Sequence, residues 1–296
     1  MSLVIRPMRA EDLEPCAALY ERVVRATFTW IDVGDPGEDF RQAALEEEVH
    51  VAEVEGVLAG LAAFYRPECF LHSIYIDAPF QGRGVGRALM RQVEAGSPEP
   101  ITLKVQVLNF KARRFYARDG FGLVEEGGDP LPGNNRWLRL DRAAPKGAQS
   151  PEPSLDIRTA TEAELDLCAA LYERQAARLF LWEPPHVRTA HSKRITFEGQ
   201  DIIVAQEHDV LAGFAVFDAA ARFVDSLFVE PQGAGTGRAL LAAVTERLGP
   251  GGFNLDCDDR NAPGLRFYET AGFKPVGRTN RHDFAMIRLH SDGIRV

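Results

Sequence analysis

Two periods of hydrophobic and polar alternation run along this chain, and each patterned stretch is written twice. Leu13, Cys16, Ala17, Tyr20 and Val24 recur at helical spacing, which predicts a helix with one apolar face. Ile101, Leu103, Val105 and Val107 alternate with Thr102, Lys104 and Gln106, the period of a half-covered strand. Val49–Glu53 and Val57–Phe64 predict a hairpin joined at Glu55-Gly56. Ile202–Gln206 and Val210–Phe217 predict another around His208-Asp209. Opening strands fall near Leu3–Arg6 and Leu155–Arg158, and closing strands at Trp137–Leu140 and Ala285–Leu289. Thr161 and Glu164 have the spacing of a capping box at a helix start.

The duplication is also literal. Cys16-Ala17-Ala18-Leu19-Tyr20-Glu21-Arg22 recurs 152 residues later as Cys168-Ala169-Ala170-Leu171-Tyr172-Glu173-Arg174. Trp30 finds Trp182, Asn109 finds Asn261, and Phe115-Tyr116 finds Phe267-Tyr268 at the same offset. Val57-Leu58-Ala59-Gly60 recurs as Val210-Leu211-Ala212-Gly213 at 153. A period this long is a duplicated domain, not a solenoid. Residues 143–154 hold three prolines among small residues and are expected to form an exposed linker. The expected domains are therefore 1–142 and 155–296.

Composition narrows the class of function. With 296 residues, 45% hydrophobic and 26% charged, the chain is that of a globular two-domain protein. A net charge of -9 argues against broad nucleic-acid or anionic-membrane binding. No apolar run approaches the ~20 residues needed to span a bilayer, and the first residues lack a signal core. Cys16, Cys69, Cys168 and Cys257 show no C-x-x-C spacing and are expected to be reduced thiols in a cytoplasmic protein, with no metal site. Cys16 and Cys168 fall on the apolar helix face, where packing is their expected role.

Chemistry concentrates in a stretch that starts as a strand at Ser73-Ile74-Tyr75-Ile76, breaks at Gln81-Gly82-Arg83-Gly84-Val85-Gly86-Arg87, and continues as a helix. The three glycines are expected to take backbone angles that side chains forbid and to gather amides around one point. A helix N-terminus there favours an anion, and a diphosphate is the expected guest. The spacing fails both the G-x-x-x-x-G-K-[ST] and the G-x-G-x-x-G patterns. It does resemble the acetyl-coenzyme-A signature (Q/R)-x-x-G-x-(G/A) of the GNAT superfamily of N-acetyltransferases. A second segment, Asn109-x-x-Ala112-x-x-Phe115-Tyr116-x-x-x-Gly120-Phe121, is similar to another stretch of that family. Asn109 can cap its helix and Gly120 can end it. The resemblance covers almost the whole chain, twice.

It implies two mixed-sheet α/β domains in a pseudo-twofold pair, which makes a monomer the expected state. It also implies acetyl-CoA as donor, held by Ile74, Tyr75, Ile76, Gln81, Gly82, Arg83, Gly84, Val85, Gly86, Arg87, Asn109 and Tyr116. An alkylammonium with a pKa near 10.4 is neutral in only about one molecule in ~2,500 at pH 7, so reaching the nucleophile costs about 4.6 kcal/mol unless a base helps. His72, on the same strand and expected to share a face with Phe70 and Ile74, is the candidate base, with Glu68 as the alternative. Family analogy makes Tyr116 the acid and places carbonyl-polarising amides near Ile74 and Tyr75. Phe28, Trp30 and Asp32, followed by Asp35, Glu38 and Asp39, are expected to wall the acceptor pocket.

The second copy keeps Gln232, Gly233, Gly235, Gly237, Arg238, Asn261 and Tyr268, so its anion nest is expected to persist. It lacks two loop residues, has Ala234 for Arg83 and has Asp225 for His72. Phe180, Leu181, Trp182 and Glu183 stand where a pocket of its own would form. The expected function is acetyl transfer to a small-molecule primary amine in the first domain. The alternatives are a protein or peptide N-acetyltransferase and a non-catalytic acetyl-CoA sensor.

Overall fold

The structure is a computed structural model and describes residues 2–128, 136–145, 147–281 and 284–292. The chain divides into two compact units, Met1–Pro153 and Ser154–Val296. All of the expected linker but Ser154 therefore lies in unit 1. Leu123 donates its N–H to Gln149 O at 3.0 Å, and buried Arg113 donates Nε–H to Pro151 O at 2.8 Å. Only Lys146 of that segment lies outside the described residues.

Unit 1 runs β1 (Leu3–Pro7), α1 (Leu13–Thr27), α2 (Pro36–Ala43), β2 (Glu48–Val54), β3 (Val57–Tyr65), β4 (Phe70–Ile76), α3 (Val85–Gly96), β5 (Thr102–Gln106), α4 (Phe110–Arg118), β6 (Gly122–Gly127) and β7 (Trp137–Asp141). Its seven strands lie in the order β1-β2-β3-β4-β5-β7-β6. Unit 2 repeats the plan with β8 (Asp156–Thr159), α5 (Glu162–Leu179), α6 (Ala190–Ile195), β9 (Asp201–Glu207), β10 (Val210–Asp218), β11 (Phe223–Val229), α7 (Thr236–Leu248), β12 (Phe253–Asp258), α8 (Ala262–Thr270), β13 (Lys274–Arg281) and β14 (Phe284–Ser291). The second sheet runs β8-β9-β10-β11-β12-β14-β13. In both, all pairs are antiparallel except β4 with β5 and β11 with β12.

Local chemistry explains most boundaries. The hairpin turns place Glu55 and Gly56, and likewise His208 and Asp209, in the left-handed region, as a two-residue turn requires. Thr161 and Glu164 do form a capping box, with Thr161 N donating to Glu164 Oε2 at 2.8 Å. Gly120 and Gly272, both at positive φ, follow α4 and α8. Cys16, Ala17, Leu19 and Val23 of α1 and Phe40 of α2 pack on Val49, Val51, Leu61 and Ala63 of the sheet. Cys16 and Cys168 are wholly buried, and burial pushes both thiols up to about 12. No described helix is long and apolar enough to cross a membrane.

Candidate active site

The central parallel pair opens into a wedge. β4 meets β5 only at Phe70↔Thr102 and Leu71↔Leu103, although β4 continues to Ile76 and β5 to Gln106. Asp77 N donates to Ala59 O at 2.9 Å. Bonded and non-bonded positions alternate along an antiparallel pair. Tyr75 and Ser73 therefore turn their amides to β3, while Ile76 and Ile74 turn theirs toward the wedge. This corrects the expected donors: Ile74 and Ile76 present N–H groups there, and Tyr75 does not. Gly60 permits the geometry, because a Cβ on it would lie 2.6 Å from Ile76 Cδ1 and 2.7 Å from Tyr75 O.

At the wedge's mouth, Gly82 and Gly84 sit at φ +75° and +83°, and among the described residues no atom beyond their own chain neighbours lies within 4 Å of where a Cβ would stand. Gly84 is the N-cap of α3 and offers no side chain to its first-turn amides. Those amides lack helical partners by geometry and face outward. Gly86 differs from expectation. It lies inside α3 without positive φ, and a Cβ would meet Ile76 and Phe115 at an ordinary 3.7 Å. Gln81 points inward: Nε2 donates to Ile76 O at 2.8 Å, and Oε1 accepts from Lys111 Nζ on α4. Arg83 lies over the Phe80 ring at 5.9 Å, and Arg87 pairs with Asp119 at 3.5 Å. Behind the loop, Arg22 of α1 clasps Asp77 at 2.8 Å, holding that carboxyl below its usual range. The clasp recurs in unit 2 as Arg174 with buried Glu230 at 2.9 Å. Sequence reading missed both, although each pair is spaced alike in the repeat.

His72 sits on β4 where the register skips opposite Ala63 and Phe64. The skip breaks the simple alternation. Ile76 faces α3, whose Gly86 lies beside it, whereas Tyr75 packs edge-on against Tyr20 of α1 at 4.9 Å. His72 contacts Phe70 as expected, at 4.7 Å, and stacks on Tyr65 at 6.0 Å. Its Nδ1 is hydrogen-bonded to Glu47 Oε1. Glu47 lies close enough to Tyr20 to push that phenol's pKa up, after burial itself and Asp39. His72 thus faces the α1 side, not the side of Ile74 and Ile76. Glu47, just before β2, was not singled out from the sequence. Glu68 lies exposed in a 3-10 turn, Arg66–Glu68.

Asn109 caps α4, its Oδ1 accepting from Ala112 N at 3.2 Å. Tyr116 is buried between Phe115 and Phe121, and burial raises its pKa well above the ordinary tyrosine range. Its ring is near enough to Tyr75 to raise that phenol as well, behind burial and Tyr20. Trp30 is buried against Phe28 at 5.5 Å, and its Nε1 has no hydrogen-bond partner among the described residues. Asp32 Oδ1 accepts from Gly34 N at 3.0 Å, and Asp35 caps α2 by accepting from Glu38 N at 3.1 Å. The acidic stretch expected beside the pocket is therefore partly a helix with its own caps.

Unit 2 preserves the frame and changes the contents. β11 meets β12 only at Phe223↔Asn254 and Val224↔Leu255. Gly233 and Gly235 hold φ +75° and +95°, while a Cβ on Gly237 would press on Phe267 at 3.0 Å. Gln232 donates to Gln175 Oε1 at 3.3 Å, Arg238 to Thr270 O at 2.9 Å, and Asn261 caps α8. Tyr268 is packed on Phe267 and Phe273. Trp182 stands 5.7 Å from Phe180 and donates to Asp258 Oδ2 at 3.1 Å, unlike Trp30. Glu183 is raised by burial, while Leu181 is exposed. Asp225, in the place of His72, is 3.3 Å from Lys193 Nζ.

Two family models match the chain. That of the acetyltransferase (GNAT) family covers residues 16–121, and that of an acetyltransferase (GNAT) domain covers residues 168–289. No curated protein matches. Among solved structures, apo YjaB from Escherichia coli is 25% identical, with 49% of this chain and 100% of that one covered and a TM-score of 0.42. The PaiA N-acetyltransferase of Thermoplasma acidophilum, solved with coenzyme A, is 17% identical, covering 48% and 99% at a TM-score of 0.38. Naa50 of Arabidopsis thaliana, solved with a bisubstrate analogue, is 16% identical, covering 49% and 100% at 0.39. Both family matches span a wedge, a glycine loop and a capped α4-type helix, and the chain belongs to the GNAT acetyltransferase family, as two such domains in tandem.

Proposed function

We propose that unit 1 is an acetyl-CoA-dependent N-acetyltransferase acting on a small-molecule primary amine. The observation that carries this reading is the wedge, where the amides of Ile74 and Ile76 face a gap that leads to the uncapped N-terminus of α3. The open positions beside Gly82 and Gly84 fit a diphosphate, which the loop and α3 amides would hold, with Lys111, Arg83 and Arg87 nearby in charge. When bound, acetyl-CoA would supply the acetyl group as a thioester, and the Ile74 and Ile76 amides would donate to its carbonyl oxygen.

Every proton position belongs to the chain. Glu47 on Nδ1 of His72 leaves Nε2 to take the proton that the acceptor amine sheds. Tyr116, whose burial keeps its phenol protonated, holds a proton for the departing thiolate. Tyr20, Tyr75 and Phe40 close the α1 side with rings 4.9–5.3 Å apart, a wall that suits a compact acceptor. The test is calorimetry with acetyl-CoA followed by an amine-panel assay that reads free thiol. Stoichiometric uptake and turnover of at least one small amine are expected; uptake with no thiol release on any amine would reduce the protein to a binder, and no uptake would end the reading.

In unit 2 we propose that the retained nest is a second coenzyme site without turnover. Support comes from the loss of the His72 counterpart and from the pairing of Asp225 with Lys193. A binding stoichiometry above one per chain is the expected result, and a stoichiometry of one refutes it.

A further inference from the structure

The corner beside His72 holds a buried acid with unused capacity. The Glu47 side chain is only 4% exposed. Its Oε1 is engaged by His72, and its Oε2 is buried with no hydrogen-bond partner among the described residues. A buried carboxylate oxygen without a donor is destabilising, so a donor from outside gains more there than on an open surface. His72 itself is 46% exposed, which makes its edge the open side of the corner. The rings of Tyr65 and Phe70 pack on His72, and Tyr20 lies near Glu47.

The duplicated unit holds an ammonium beside the counterpart of His72, with Gln200 in the place of Glu47. In unit 2 the counterpart of Tyr20 is Tyr172, and the counterparts of His72 and Ser73 are Asp225 and Ser226. These groups surround an ammonium: Lys193 Nζ lies 3.3 Å from Asp225, is hydrogen-bonded to Ser226 Oγ, and stands 5.4 Å over the Tyr172 ring. Lys193 comes from α6, which follows α5 as α2 follows α1. In unit 1 α2 sets the Phe40 ring against Tyr20 at 5.3 Å and brings the Asp39 carboxylate near that phenol, and neither is a cation.

We infer that the Glu47 corner of unit 1 is a subsite for a primary alkylammonium, whose N–H donates to Glu47 Oε2, and that Lys193 is the built-in occupant of the equivalent place in unit 2. This rests on the acetyltransferase reading only for its catalytic meaning, since the subsite is a binding claim in its own right. It assigns to Glu47 the selection of a charged acceptor. The ammonium comes either from a small amine or from the end or side chain of a peptide.

The test uses the full chain without acetyl-CoA, so that it stands apart from activity. Binding of n-butylammonium and of n-butanol is followed by ligand-observed NMR. Wild type is expected to take the ammonium and to ignore the alcohol. Glu47→Gln, which keeps the shape and loses the charge, should weaken the ammonium by about 10–100-fold, and Glu47→Asp should recover part of it. In parallel, calorimetry should give one acetyl-CoA affinity for wild type and Glu47→Gln. Equal binding of ammonium and alcohol by wild type, or ammonium binding unchanged in Glu47→Gln, overturns the inference. Failure of acetyl-CoA uptake in wild type would overturn the enzymatic reading and leave the subsite measured. A tetrapeptide with a free amine that n-butylammonium displaces would identify a peptide as the source; displacement seen only with small amines would identify those.

Discussion

Gly60→Ala is expected to damage the wedge more than any change in the glycine loop. An alanine Cβ at this position would sit 2.7 Å from Tyr75 O and 3.3 Å from Ile76 Cα, both backbone atoms, besides 2.6 Å from Ile76 Cδ1. The Ile76 side chain can rotate, but the carbonyl cannot move without β4. Restoring an ordinary contact requires a shift of roughly 0.7 Å, typical of overpacking that costs about 1–3 kcal/mol. For a unit of this size each kcal/mol lowers Tm by about 2–4 °C, so a fall of about 2–12 °C is expected. The displaced segment carries the Ile74 and Ile76 amides, so acetyl-CoA should bind at least about 10-fold more weakly, a loss of about 1.4 kcal/mol. Gly86→Ala is the control, since its Cβ would meet neighbours at 3.7 Å, and it should leave Tm within about 1 °C. Differential scanning calorimetry and titration calorimetry read both quantities. If Gly60→Ala matched wild type in Tm and affinity, the placement of those amides would be wrong.

Removing His72 as His72→Ala, or the phenol as Tyr116→Phe, should lower kcat by about 10²-fold or more with acetyl-CoA affinity kept; unaltered rates in both variants would refute their roles. Each unit opens with a clasp, Arg6 on Asp12 and Arg158 on Glu164, and the guanidinium hydrogen bonds bring both carboxyls down to about 2. The unfolded chain binds these protons first, so their stabilisation is complete above about pH 5 and disappears as pH falls toward 2. Denaturation from pH 2 to 6 should therefore show less pH dependence in Asp12→Asn with Glu164→Gln than in wild type, and equal slopes would contradict the assignment. Asp225→Asn should destabilise unit 2 by about 3 kcal/mol by removing the carboxylate that faces the buried Lys193 ammonium, whereas Lys193→Met should cost much less. Urea melts giving the reverse order would show that Lys193 is not the group at risk.

The repeat at 152 residues, the hairpins, the capped helices and the glycine loop were legible because each rests on local rules: period, turn chemistry and capping. Strands β6 and β13 and helices α2 and α6 were not read, since their short, polar or proline-bearing segments carry weak periodicity and are held by partners far along the chain. The chain itself determined that there are two domains, that each has a strand–glycine loop–helix, and that the family is GNAT. Only the tertiary structure decided which amides face the wedge, because that depends on pairing register with β3. It alone turned His72 toward the α1 side through one skipped position, and it alone brought Glu47 to it across 25 residues of sequence. Register and long-range proximity arise from packing against distant segments, and no local pattern encodes them.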